Sequence, residues 1–316
     1  MSKLAVIALG GNAIIRNDQK GTIQEQDDNV MATLENIVYL IKEGYNIVLS
    51  HGNGPQVGNI LMRNDAGEQN YGIAQMPLDI CVADSQGGIG YMIERNLRNM
   101  LRKHGLKRDV LTLVTQVLVD KDDPAILNPS KRIGKVYSKE EADILHEKKS
   151  WIFKENAPNS DKYRRVVPSP KPKDIFNKES IAALANTGVI VITVGGGGIP
   201  VYKDQNGMLH PVEGVIDKDL ASSLLATKIG AQELYILTDV EYIFINYNTP
   251  EQQIVEFLDE KDTIKYLEQG QFGEGNMRPK IEAALQFVQN GGEKSVITKS
   301  DKLEDRKYGS KITLKY

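Results

Sequence analysis

The sequence predicts an α/β fold built on a mainly parallel sheet, and three observations predict it. Short apolar runs rich in β-branched residues alternate with stretches of helical periodicity, the pattern of βαβ units. Those runs are apolar residue after residue, so the strands are covered on both faces. Several of them stop abruptly at glycine-rich turns, where an open α/β sheet collects its ligands.

The strand candidates in chain order are residues 4–9, 46–50, 110–118, 189–194, 233–237 and 295–298. Between them, Val30, Leu34, Ile37, Val38 and Ile41 fall on one helical face, as do Ile281, Ala284, Leu285 and Val288. Residues 120–174 differ. They are dense in Lys, Arg, Pro, Ser and Asp. About fifty residues exceed a plain connection of ~4–6 residues, so a small protruding lid is expected. Tyr137, Trp151, Phe153 and Tyr163 would pack it, and a helix is predicted over Lys139–Lys149, after Ser138. Residues 203–210 read as a hairpin turning at Asn206-Gly207.

Composition narrows the function. The chain has 316 residues, 41% hydrophobic and 26% charged, with a net charge of −3, which disfavours nucleic acid or an anionic membrane as partner. A single cysteine excludes an internal disulfide, and Cys81 reads as a small core residue. The N-terminus carries no signal-peptide pattern and no run reaches the ~18 apolar residues of a membrane span. A cytoplasmic protein is expected.

Four glycine-rich stretches stand out: "GGN" at Gly10, Gly11 and Asn12; "HGNGPQVG" containing Gly52, Asn53 and Gly54; "GGGG" beginning Gly195, Gly196, Gly197; and "SQGGIG" on a helix-like segment. Three follow strands and point towards one crevice, where backbone N–H groups would meet an anion. They match neither the P-loop nor the dinucleotide fingerprint. Phosphoryl transfer needs positive charge nearby. Asp217 and Asp219 suit a helix N-terminus, but Lys218 between them does not unless an anion binds there. Pro279 in a helix's first turn is ordinary, whereas Arg278 and Lys280 beside it are not. Lys131, Arg132 and Lys135, judged by spacing alone, are solvent-facing charges, as are Arg164 and Arg165. The four histidines are scattered and show no metal-ligand spacing, and His51 alone lies in a glycine turn.

In these segments, with "NPSKRIGKVYS", "RRVVPSPKP", "LTDVEYIFINY" and "MRPKIEAALQFV", the chain resembles the carbamate kinase branch of the amino acid kinase family. The resemblance implies an open αβα sandwich in one domain, 1–316. Residues 1–194, with the lid at 120–174, would hold the phosphoryl acceptor, and 195–316 the nucleotide. It implies reversible transfer from carbamoyl phosphate to ADP, giving ATP and carbamate, with Mg2+ carried mainly by the nucleotide, in a homodimer. Gly10, Gly11, Asn12, Gly52, Asn53 and Gly54 would line the phosphoryl group and carbamate, with Gly195, Gly196 and Gly197 near the junction. Lys218 and Lys280 would neutralise the phosphoryl oxygens, and Asp217 and Asp219 would orient them or help hold magnesium. Thr238, Asp239, Val240, Tyr242, Met277 and Pro279 would wall the nucleotide. Relatives acting on acyl-amino acids usually carry a lysine where this chain has Ala8. In carbamate kinases the substitute is the lysine of the lid, here Lys131, followed by Arg132 where proline is common. The alternatives are another amino acid kinase acting on an acyl-amino-acid carboxylate, or a nucleotide-binding regulator without turnover.

Overall fold

The apolar run Leu4–Leu9 forms a fully buried strand inside an eight-stranded sheet. The structure is a computed structural model and describes residues 2–16, 18–273, 277–305 and 308–315. From one edge the strands run Phe257–Leu258, Ser310–Ile312, Lys294–Thr298, Glu233–Leu237, Leu4–Leu9, Asn46–His51, Ile190–Ile192 and Val110–Thr112. The six from Lys294–Thr298 onward are parallel. Only the contact of Lys294–Thr298 with Ser310–Ile312 is antiparallel.

Both faces are covered, as the unbroken apolar runs require. Ala5, Ile7 and Leu9 pack on one side with Leu34, Ile37 and Ile93, from the helices Ile23–Lys42 and Leu78–Lys103. Leu4 and Val6 pack on the other with Ala221, Leu225, Ile281 and Ala284, from the helices Lys218–Lys228 and Met277–Gln289. The two helical faces foreseen from periodicity are thus the core-facing ones. Thr22 starts the first helix with a capping box closed by Glu25. No described helix is long and apolar enough to cross a membrane.

One expected strand divides. Residues 110–118 give Val110–Thr112 in the main sheet and Gln116–Val119 in a second, four-stranded sheet. Thr115 makes the corner: its hydroxyl donates to Leu113 O at 3.0 Å and meets Thr193 Oγ1 at 2.5 Å. Pro172–Ile175 and the hairpin of Ile199–Lys203 with Leu209–Pro211 complete that sheet. Asp204 Oδ1 accepts from the N–H groups of Asn206 and Met208 in the hairpin turn.

Within 120–174, a three-stranded antiparallel sheet of Lys131–Tyr137, Tyr163–Val167 and Ile152–Glu155 carries the helix Lys139–Lys149. Its flanks pair with the body instead. Tyr137 and Phe153 meet edge to face with ring centroids 5.3 Å apart, and Arg165 stacks on Trp151 at 3.8 Å. Ile133 and Val167 share an apolar cluster with Val57, Leu78 and Val215, so the subdomain rests on the helix Gly54–Tyr71. An Arg165–Glu213 ion pair and a Lys149–Glu68 pair at 2.7 Å fasten its base.

Candidate active site

The ends of strands Leu4–Leu9, Asn46–His51 and Ile190–Ile192 bring three glycine turns together. Gly11–Ala13 forms a short 3-10 turn directly after Gly10. Gly10 lies so close to the next strand that a Cβ there would fall 2.5 Å from Leu237 O. Gly196 has φ +65, and a Cβ on it would overlap the Asn53 carboxamide at 2.2 Å. Val194, just before, is held at φ 53, a costly conformation for a β-branched residue that the surrounding packing must enforce.

The charges sit where these turns converge. Asp217 caps the helix Lys218–Lys228, its Oδ1 accepting from Asp219 N at 2.9 Å. Lys218 Nζ donates to Asp219 Oδ1 at 2.5 Å, and Lys280 Nζ, from the next helix, to Asp219 Oδ2 at 3.1 Å. Asp219 is 2% exposed and Lys280 8%. Burial alone would raise the Asp219 carboxyl. The two ammonium groups outweigh it and hold the group below its ordinary value. Asp219 therefore stays ionised and is a shared counter-ion for two cations, Lys218 and Lys280. Lys131 Nζ lies 3.3 Å from Asp217 Oδ2, with 44% of its side chain exposed.

Two clefts meet at this cluster. The larger, about 700 Å³, includes Gly10, Gly11, Asn12, Thr238 and Asp239 in its lining. The smaller, about 270 Å³, includes Gly52, Asn53, Gly54, Gly196, Lys131 and Pro279. Gly11, Lys218 and Lys280 line both. A group at the junction therefore faces two lysines and two glycine turns at once. Gly195 and Gly197 are buried behind the clefts. Val240, Tyr242 and Met277 line neither cleft. Tyr242 neighbours Tyr308, with ring centroids 6.0 Å apart, and Met277 packs on the core.

Arg16 and Lys299 also line the larger cleft, and sequence reasoning did not single out either for the site. Nor did it single out the small polar residues behind the turns. Ser50 and Ser222 join the second glycine turn to the Lys218 helix through a 2.6 Å hydrogen bond. Ser85 and Gln86 are buried on the helix Leu78–Lys103 and hold Asn53 and Thr115. The available signal was a polar pair interrupting the apolar stripe Val82, Ile89, Ile93. Among the described residues, no group of three or more His, Cys, Asp or Glu side chains is placed to hold a metal. Asp217 and Asp219, the acids at the junction, are both engaged by lysines.

Comparison with known proteins shows the family. A model described as the amino acid kinase family matches residues 3–299. The chain is 44% identical to a carbamate kinase of Pyrococcus horikoshii over 316 residues, covering 99% of this chain and 100% of that one. It is 47% identical to a carbamate kinase of Thermococcus kodakarensis over 301 residues, 95% of each chain. Among solved structures it is similar to the carbamate kinase from Giardia lamblia bound to AMP-PNP, with a TM-score of 0.91 and 39% identity. That match covers 99% of this chain and 98% of the other.

Proposed function

This chain belongs to the amino acid kinase family, and from that premise we propose that it is a carbamate kinase, transferring a phosphoryl group reversibly between carbamoyl phosphate and ADP. The observation that carries the reading is the buried Asp219 carboxylate gripping Lys218 and Lys280 where the two clefts meet.

Phosphoryl transfer asks the protein for positioning and charge compensation. Both reacting oxygens, on carbamate and on ADP, are already anionic, so no general base is required. The smaller cleft takes the carbamoyl end, against the turn of Gly52, Asn53 and Gly54. The phosphoryl group lies at the junction, beside Gly11 and between Lys218 and Lys280. Transfer is direct and in line, with no phosphoenzyme. Lys131 supplies the charge that Ala8 lacks. Its exposed ion pair with Asp217 is worth no more than ~1 kcal/mol, so exchanging that partner for a phosphoryl oxygen costs little.

The acids of the site are occupied by lysines, a donor set that suits magnesium carried on the nucleotide's phosphates. When bound, that ion neutralises phosphate charge. The finer setting is also proposed: a cytoplasmic homodimer forming ATP during arginine degradation, as the resemblance implies. Mixing the protein with carbamoyl phosphate and Mg-ADP should yield ATP. Phosphorylation of acetylglutamate or aspartate by ATP, without turnover of carbamoyl phosphate, would instead identify another amino acid kinase.

A further inference from the structure

Asn53 occupies the N-cap position of the helix Gly54–Tyr71, where asparagine ordinarily accepts from the first turn, yet its side chain makes no such bond. Its Nδ2 donates instead to Ser85 Oγ at 2.8 Å, and Ser85 Oγ donates to Val82 O at 2.6 Å. This chain of bonds determines which way the amide faces. A carbonyl can only accept, so the single hydroxyl proton of Ser85 is committed to Val82. Ser85 can then only accept from Asn53, and the atom facing it must be the amide nitrogen. Oδ1 is the other end.

That oxygen takes no hydrogen bond from a described residue. Among the described residues, Arg164 Nε is the only fully buried side-chain nitrogen or oxygen atom without a partner. Asn53 Oδ1 is therefore open, and Asn53 lines the smaller cleft. The surroundings there are rich in donors: Lys131, Arg132, Lys218, Lys280 and glycine-turn backbone. The carboxylates of Asp217 and Asp219 already face lysines, and Gly52 O already faces His51 Nδ1 at 2.9 Å. A ligand bearing an N–H finds in Asn53 Oδ1 a neutral acceptor with no competing partner.

We propose that Asn53 Oδ1 selects the amino group of the carbamoyl substrate, and that Ser85 is the positioning residue that keeps this oxygen turned into the cleft. The inference rests on the carbamate kinase reading and deepens it. It separates carbamoyl phosphate from acetyl phosphate, which is nearly the same shape but offers a methyl group. A site built to bond a substrate N–H rejects the analogue lacking it far more strongly than a site that reads shape alone.

The test compares kcat/KM for carbamoyl phosphate and acetyl phosphate, each with Mg-ADP. The wild type should favour carbamoyl phosphate by ~10² or more. Ser85→Ala lets the amide turn, so the ratio should fall by ~10-fold or more, mainly through KM for carbamoyl phosphate. Ser85→Thr, which keeps a hydroxyl, should restore it. Asn53→Ala should bring the ratio towards one, and it keeps the test open if Ser85→Ala does not fold. ATP formation with the same ratio in wild type, Ser85→Ala and Asn53→Ala overturns the selection while leaving the reaction standing. No ATP from carbamoyl phosphate in the wild type overturns the reaction, and the inference with it.

Discussion

Ser50 and Ser222 are 172 residues apart in sequence, yet their hydroxyl oxygens lie 2.6 Å apart in the core. Ser222 Oγ also donates to Lys218 O at 2.5 Å, so the proton between the two serines belongs to Ser50. The bond ties the strand leading into the second glycine turn to the helix start that presents Lys218. The asymmetry makes a prediction. Ser222→Ala strands a buried Ser50 donor and should cost ~1–3 kcal/mol. Ser50→Ala leaves Ser222 bonded to Lys218 O and should cost less. Urea denaturation of both single variants and the double variant measures this. A double variant as destabilised as the sum of the singles would show the pair is not coupled.

Asp219 makes a stronger claim. Its carboxylate is the shared counter-ion of Lys218 and Lys280, and it is buried. Asp219→Asn keeps the shape and removes the charge. Two ammonium groups then face a neutral amide, and their positions are no longer fixed. Turnover should fall ~10²–10³-fold, the usual loss when a preorganised charge donor is misplaced. The melting temperature should fall as well, because removing one member of a buried charged cluster leaves the others uncompensated. Turnover within threefold of wild type would show that the lysines are held by something else.

These two clusters also show what a sequence makes legible. Lys218 and Lys280 stand out locally, as cations at helix starts where the dipole disfavours them. The main strands stand out because burial on both faces demands an unbroken apolar run. Lys131 carries no such signal, and only the resemblance singled it out. Ser50 and Ser222 carry none either, since each is a small polar residue whose partner lies far along the chain, and Ser85 shows only as half of a polar pair breaking an apolar stripe. The corner at Thr115 is hidden for the same reason. "VLTLVTQVL" reads as one strand until Thr193, 78 residues on, meets the Thr115 hydroxyl.

His51 predicts a pH dependence of stability. The side chain is buried beside Gly195, and burial pushes the imidazole down to about 4, against a hydrogen bond to Gly52 O that raises it. In the unfolded chain the group titrates near 6.5. Between these values the unfolded state holds a proton that the folded state refuses. Stability is therefore full above pH ~6.5 and declines as pH falls towards 4, by up to ~3 kcal/mol. Asp219 and Glu233 are held below their ordinary 3.8 and 4.5, so their contributions are lost at lower pH. Denaturation midpoints of wild type and His51→Gln between pH 7 and 5 test this. The wild type should lose stability across that window and the variant should lose less. Parallel curves would remove His51 from the account.

Lys131 is where structure and chemistry ask for different partners. In the structure it pairs with Asp217 across an exposed 3.3 Å contact that contributes little to stability. In the reaction proposed above it would be the cation that the Gly10-Gly11 turn lacks, carried on the subdomain of residues 131–167. Lys131→Ala should therefore leave the denaturation midpoint within ~0.5 kcal/mol of wild type. Turnover of carbamoyl phosphate with Mg-ADP should fall ~10²–10³-fold. Mg-ADP binding, measured by calorimetry without the second substrate, should change little, because Lys131 lines only the smaller cleft. Near-normal turnover in Lys131→Ala would mean that Lys218, Lys280 and the backbone donors suffice. The charge missing at Ala8 would then need no replacement from the subdomain.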